Sequence, residues 1–152
     1  MTGKRKAIFV DRDGTLNYDK GYTHNLSDLK IYDDIIPLLM DYYEKNFLII
    51  VITNQSGIGR GYYTVDEMES FNREIAKELI FKGIKIEDFF YCPHTPDQGC
   101  RCRKPETGLI EEAAIKYDID ISNSVVIGDR ESVDGEMARK LGMKFIKVHG
   151  YD

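Results

Sequence analysis

The chain has 152 residues, 42% apolar and 31% charged, with a formal net charge of −5, the profile of one globular domain rather than of a disordered or collagenous chain. The acidic balance offers no whole-chain footprint for nucleic acid, and no apolar run approaches the ~20 residues of a membrane span. Met1–Lys6 is basic, but only Ala7–Val10 follow before Asp11 interrupts, so no signal peptide is read and a cytoplasmic setting is expected.

In chain order, Lys6–Val10 predicts a short strand that stops at Asp11. Asp33 and Asp34 open a helix carried by Ile35, Leu38, Leu39 and Tyr42, with Pro37 tolerable in its first turn. Phe47–Ile52 is an apolar run that reads as a strand buried on both faces. Thr64 with Glu67 three positions on is a capping-box pattern, followed by Met68, Phe71, Ile75 and Leu79 at helical spacing and by Gly83 as a stop. Ile86–Cys92 reads as a third strand, and a Pro-, Gly- and Cys-rich loop runs from Pro93 to Pro105. A helix near Thr107–Tyr117, a strand at Val125–Ile127, a helix near Ser132–Leu141 stopped by Gly142, and a strand at Lys144–Val148 complete the chain. The alternation predicts one doubly wound α/β domain over residues 1–152 with a mostly parallel sheet.

Ligands of such sheets bind outside the carboxyl ends of the strands. Asp11, Thr53 and Asp129 each stand just after an apolar strand, so the fold should bring them to one edge. In Asp11-Arg12-Asp13-Gly14-Thr15, a carboxylate nucleophile beside a second, proton-carrying carboxyl group competes with the plainer reading of a polar turn. Two adjacent carboxylates repel, which calls for a divalent cation, and magnesium suits oxygen ligands and phosphate substrates. Thr53-Asn54-Gln55-Ser56-Gly57 is either a donor-rich cup for a phosphoryl group or an ordinary polar loop. Gly128-Asp129-Arg130 adds a third strand-end acid, with Asp134 five positions on, and Arg103-Lys104-Pro105 supplies positive charge. Together these describe metal-assisted phosphoryl transfer through an aspartyl intermediate.

Taken in order, Asp-Arg-Asp-Gly-Thr, Thr-Asn-Gln-Ser-Gly, Arg-Lys-Pro and Gly-Asp-Arg-x-x-x-Asp resemble the four signature motifs of the haloacid dehalogenase (HAD) superfamily of phosphatases. The resemblance spans Ala7 to Val148. It implies that Asp11 is the nucleophile and Asp13 the general acid, then base, and that Thr53 and Lys104 hold the phosphoryl group. It also implies Mg2+ on the carboxylates of Asp11 and Asp129 and the backbone carbonyl of Asp13, with Asp134 just behind. No segment is long enough for a separate cap domain, so specificity should come from loops.

The three cysteines fall in one stretch. Cys92-Pro93-His94 followed by Cys100-Arg101-Cys102 matches a closed four-ligand Zn2+ site that would stiffen the loop carrying Arg103 and Lys104; free thiols are the alternative. The pattern Cys-Pro-His…Cys-x-Cys-Arg-Lys-Pro resembles two branches of the superfamily, the heptose bisphosphate phosphatases and the histidinol-phosphatase domains. Gly21-Tyr22-x-His24, after Asn17, is similar to the substrate loop of the first, as is the stretch from Thr53 to Gly61. Substrate contacts are expected at Asp19, Gly21, Tyr22, His24, Asn54, Gln55, Ser56, Arg103 and Arg130. Arginine at position 130 is familiar in the histidinol branch and lysine in the heptose branch. The expected activity is removal of the 7-phosphate from a heptose 1,7-bisphosphate by a monomer, with histidinol phosphate as the alternative substrate. A polynucleotide 3′-phosphatase is opposed by the net acidity and the cysteine loop, and a phospho-receiver domain by Asp13 and that same loop.

Overall fold

Burial decides where the strands go. The computed structural model describes residues 4–150, and in it β1 (Ala7–Val10) and β4 (Val125–Gly128) are buried throughout, as is β2 (Leu48–Asn54) up to its last residue. These three occupy the middle of a five-stranded sheet of order β3-β2-β1-β4-β5, with β3 (Ile86–Cys92) and β5 (Lys144–Lys147) at its edges. Every pair is parallel, and Phe9 faces Ile50 on one side and Val126 on the other.

Alternate strand residues feed opposite faces, as a period of two requires. Phe9, Ile50, Ile52 and Val126 pack with Leu109, Ile110 and Ala113 of α4 (Gly108–Tyr117) and with Met137 and Ala138 of α5 (Glu136–Lys140). Ile8, Val10, Ile49, Val51 and Ile127 pack with Ile35 and Leu39 of α1 (Ile35–Glu44) and with Phe71, Ile75 and Leu79 of α3 (Val65–Phe81). Each fully buried aliphatic or Phe side chain contributes about 1.5–3 kcal/mol. The chain winds to one side of β1 through β2 and to the other through β4, so the topological switch lies at the carboxyl end of β1. No helix among the described residues is long and apolar enough to cross a membrane.

One element departs from its sequence pattern. The helix expected near Ser132–Leu141 is split into a wide π-turn, Glu131–Gly135, and the short α5. The carbonyl of Arg130 accepts from the amides of Val133, Asp134 and Gly135 at 3.2, 2.8 and 3.3 Å. The widened turn carries Asp134 inward, where it is only 2% exposed. Such turns are frequent at functional sites. Gly128 makes room for it, since a Cβ there would lie 2.4 Å from the Asp134 carboxyl carbon.

The four-residue α2 (Ser56–Gly59) follows β2. The capping box of α3 forms as its sequence pattern requires: the Glu67 amide donates to Thr64 Oγ1 at 3.1 Å, and the Thr64 amide donates to Glu67 Oε1 at 2.9 Å. Replacing Thr64 by Ala removes the hydroxyl acceptor and is expected to cost about 1 kcal/mol, with Ser restoring it. Urea unfolding checks this: the midpoint should fall for Thr64→Ala with the slope unchanged.

Candidate active site

Lys104 lies at the end of the long loop yet is 3% exposed. Its Nζ donates to Asp11 Oδ1 at 2.7 Å, to Asp134 Oδ1 at 2.8 Å and to the carbonyl of Ile52 at 3.0 Å. Burial acts against the charge, but Asp11 and Asp134 outweigh it and hold the ammonium above its ordinary range. Asp11 extends β1 through its amide, which donates to Ile127 O at 2.9 Å. Burial pushes its carboxyl well above the usual carboxylate value; Lys104 pulls the other way, while Asp134 and Asp129 add to the rise. Carboxylate oxygens of Asp11, Asp129 and Asp134 lie within 4.8 Å of one another. Three acids against one ammonium leave an excess of negative charge on hard oxygen donors, a set that fits Mg2+. The Thr15 hydroxyl lies 3.2 Å from Asp11 Oδ2 and 3.4 Å from Asp129 Oδ1, bridging the two. Gly14, at φ +84°, lets the loop pass beside this group, because a Cβ there would meet Asp129 Oδ2 at 2.3 Å.

Asp13 is turned to a different set of partners. Arg12 donates from Nε to Oδ1 at 2.9 Å and from Nη2 to Oδ2 at 3.1 Å; Asn17 Nδ2 reaches Oδ1 and Gln55 Nε2 reaches Oδ2, each at 3.1 Å. Gln55 Nε2 also donates to Thr53 Oγ1 at 2.9 Å, and its Oε1 accepts from the Tyr63 hydroxyl. Burial pushes the Tyr63 phenol up to about 12, so it remains a donor at neutral pH.

These groups open onto a cavity of about 310 Å3 at the carboxyl ends of the strands. It brings together Asp11, Asp13, Thr53, Lys104 and Asp129 with Asp19, Gly21, Tyr22, Asn54, Ser56, Arg103 and Arg130. Asn54 also clasps the loop to β2: its Oδ1 accepts from the Lys104 amide at 2.9 Å and its Nδ2 donates to the Lys104 carbonyl at 3.1 Å. Gln55 and His24, also expected as substrate contacts, stand next to the cavity's lining residues rather than in the lining. Gln55 is buried under Asp13 and Thr53. His24 stacks on Tyr63 with ring centroids 4.6 Å apart, its Nδ1 2.7 Å from the Tyr22 carbonyl. Tyr63, Val133 and Asp134 line the cavity as well. Nothing in the local sequence marks Tyr63 or Val133, whose positions depend on α3 and the π-turn.

Cys92 ends β3 opposite Asn54, so the second constellation abuts the first. Cys92 Sγ lies 3.3 Å from His94 Nδ1 and 3.5 Å from Cys100 Sγ; Cys102 Sγ is 3.2 Å from His94 Nδ1 and 2.6 Å from Cys92 Sγ. All three cysteines are free of disulfides. Ligands ~2.0–2.3 Å from a tetrahedral Zn2+ would sit within about 4 Å of each other, and the donor set is that of a closed structural site. Burial pushes the Cys92 thiol up, whereas at Cys100 burial is outweighed by hydrogen bonding with Cys92 and the Arg103 backbone, which lowers the thiol to about 6. Arg103 follows directly and lies 3.5 Å from the His94 carbonyl through Nη1.

Comparison with known proteins identifies the family. Residues 101–150 match the HAD-hydrolase-like family model. A protein of Thermoplasma acidophilum named "Probable D-glycero-D-manno-heptose-1,7-bisphosphate 7-phosphatase" is 51% identical over 140 residues, spanning 92% of this chain and 88% of the relative. The D-glycero-alpha-D-manno-heptose-1,7-bisphosphate 7-phosphatase of Campylobacter jejuni is 40% identical over 129 residues, 85% of this chain and 74% of the relative. Among solved structures, the D,D-heptose 1,7-bisphosphate phosphatase of B. bronchiseptica, complexed with magnesium and phosphate, superposes with a TM-score of 0.83 at 28% identity, covering 92% of this chain and 78% of that one. A chain 51% identical to one protein named as a phosphatase, and superposable on the solved structure of another, is itself a phosphatase. It belongs to the HAD superfamily, in the family of the D-glycero-D-manno-heptose-1,7-bisphosphate 7-phosphatases.

Proposed function

We propose that the chain, as one catalytic domain over residues 1–152, hydrolyses the 7-phosphate ester of D-glycero-D-manno-heptose 1,7-bisphosphate through a phosphorylated Asp11. The observation that carries this reading is the buried Asp11 carboxylate at the end of β1, with Lys104 2.7 Å from Oδ1 and a second acid two residues on. In the first step Asp11 Oδ2, the oxygen not held by Lys104, attacks phosphorus and the bond to the sugar oxygen breaks. That oxygen takes the proton of the Asp13 carboxyl and leaves as the alcohol. Asp13, now a carboxylate, removes a proton from water as the water attacks phosphorus. The bond to Asp11 breaks, releasing inorganic phosphate and restoring the free carboxylate. Lys104 and Thr53 hold the phosphoryl oxygens throughout.

Asp11, Asp129 and the Asp13 backbone carbonyl would hold Mg2+, with Asp134 fixing Lys104 beside them. When bound, such an ion supplies charge neutralisation between the carboxylates and the phosphoryl oxygens. Cys92, His94, Cys100 and Cys102 would hold Zn2+, which has no open position for substrate and whose role is to stiffen the loop carrying Arg103 and Lys104. Arg103 and Arg130 at the cavity mouth suit the charge of a second phosphate. The names of the relatives favour a heptose bisphosphate over histidinol phosphate, and an acidic chain with an arginine-edged cavity of small volume favours a free metabolite over nucleic acid.

A panel of phosphate esters tests the substrate: both heptose bisphosphate anomers, fructose 1,6-bisphosphate and histidinol phosphate. The highest kcat/KM should fall on one of the heptose bisphosphates. Asp11→Asn should lose on the order of a thousandfold or more in turnover on every ester, because an amide is a poor nucleophile; wild-type rates in that variant would overturn the assignment. Stripping divalent ions should abolish turnover and Mg2+ should restore it. Ca2+ should not, since it takes 6–8 ligands in looser geometry. Elemental analysis should find one zinc per chain. Cys100→Ser should lose that zinc, melt earlier and drop turnover by on the order of a hundredfold, since a misplacement of about 1 Å costs that much.

A further inference from the structure

Arg12 stands between the two acids of the first motif, and it is the largest fully buried side chain among the described residues. Each nitrogen of its guanidinium donates to a partner. Nε and Nη2 form a fork on the two oxygens of Asp13, Nη1 donates to Asn72 Oδ1 at 3.1 Å, and Nη2 also donates to the carbonyl of Thr23 at 2.8 Å. One face lies on Phe71, with Cζ 4.6 Å from the ring centroid. A planar fork so enclosed has one orientation.

Asn72 is out of place by the pattern of α3. It lies on the buried face with Met68, Phe71, Ile75 and Leu79, where a polar side chain is costly unless its hydrogen bonds are met. Its acceptor meets Arg12, so α3 reaches Asp13 through one intermediary. Gln55, oriented by the Tyr63 hydroxyl, holds the same carboxyl from the other side.

We propose that Arg12 and Asn72 are positioning residues for proton transfer by Asp13: Asn72 fixes the guanidinium, and the guanidinium fixes the carboxyl at the angle from which it serves the leaving oxygen. The inference rests on the reading of Asp13 as the proton carrier and adds the buried arm that aims it. A carboxyl group free to rotate would still be present in the cavity but out of line. Functional groups must be held within ~0.5 Å and ~10–20° of the productive geometry.

The signature is a dependence on the leaving group. An alkoxide departs from phosphorus only with a proton, whereas p-nitrophenolate departs without one. The measurement is kcat/KM, which covers steps through departure of the leaving group and excludes the later hydrolysis of phosphorylated Asp11. It is made on the best sugar phosphate of the panel and on p-nitrophenyl phosphate.

Asn72→Ala should lower kcat/KM about tenfold or more on the sugar phosphate and less than about threefold on the aryl ester, as expected for a misaimed acid. Asn72→Asp, which keeps the Oδ1 acceptor, should recover most of the sugar-phosphate rate. Arg12→Lys keeps the charge but loses the fork, and should show the same split where it folds. Equal loss on both esters, with or without a fall in Tm, marks a merely structural role and overturns the inference, as does no loss on either. Asp13→Asn is the reference. If it shows no split, the proton-carrier reading fails and the inference with it. If it splits the two esters while Asn72→Ala does not, the positioning inference alone fails.

Discussion

The ammonium of Lys104, enclosed between Asp11 and Asp134, is the interaction on which the site depends. Desolvating a charge costs several kcal/mol, and the cost is met only when partners are close and the remaining hydrogen bonds are satisfied. Here Nζ meets two carboxylates within 2.8 Å and the Ile52 carbonyl at 3.0 Å. The four residues come from the end of β1, the interior of β2, the cysteine loop and the π-turn. A single buried charge therefore ties together four segments that are far apart in sequence. Removing one partner from such a group strands the others, typically at about 3–5 kcal/mol.

Around that centre the two motif acids are given separate environments. Asp11 lies among Lys104, Asp129 and Asp134, and burial raises its carboxyl. Asp13 faces four donor groups from Arg12, Asn17 and Gln55. Two carboxyl groups of one chemical type are set to different tasks when their surroundings differ in this way. Gly14 admits the turn that follows them, at a φ few other residues adopt.

The Cys/His cluster and the active-site cavity are neighbours by register rather than by sequence. Cys92 pairs with Asn54 across β3 and β2, and Asn54 bonds both backbone groups of Lys104. The loop that carries Lys104 is thus held at one end by the cysteine cluster and at the other by an amide on the central sheet. A long loop without its own core needs such ties to place a side chain accurately.

Much of this was legible from residue order alone. Apolar runs of three to six residues bounded by Asp, Thr–Asn and Gly–Asp mark parallel strands and the edge where chemistry collects, because a strand buried on both faces must be apolar until it emerges. Thr64 with Glu67 specified the start of α3, since a cap depends only on residues three apart. The cysteine spacing specified the second cluster for the same reason. What local pattern could not specify was decided by contacts between distant segments. Gln55 and His24 read as substrate contacts, and contacts with Tyr63 place both beside the cavity lining. The segment from Glu131 to Gly135 has an ordinary helical pattern, and only the pull of Asp134 toward Lys104 accompanies its widening. Arg12 and Asn72 carry no mark in sequence, being sixty positions apart. Sequence by itself determined which chemical groups exist and at which strand ends they emerge; tertiary structure alone decided which oxygen faces which donor, because hydrogen bonds and buried charges are settled over a few ångströms between residues that the chain brings together only on folding.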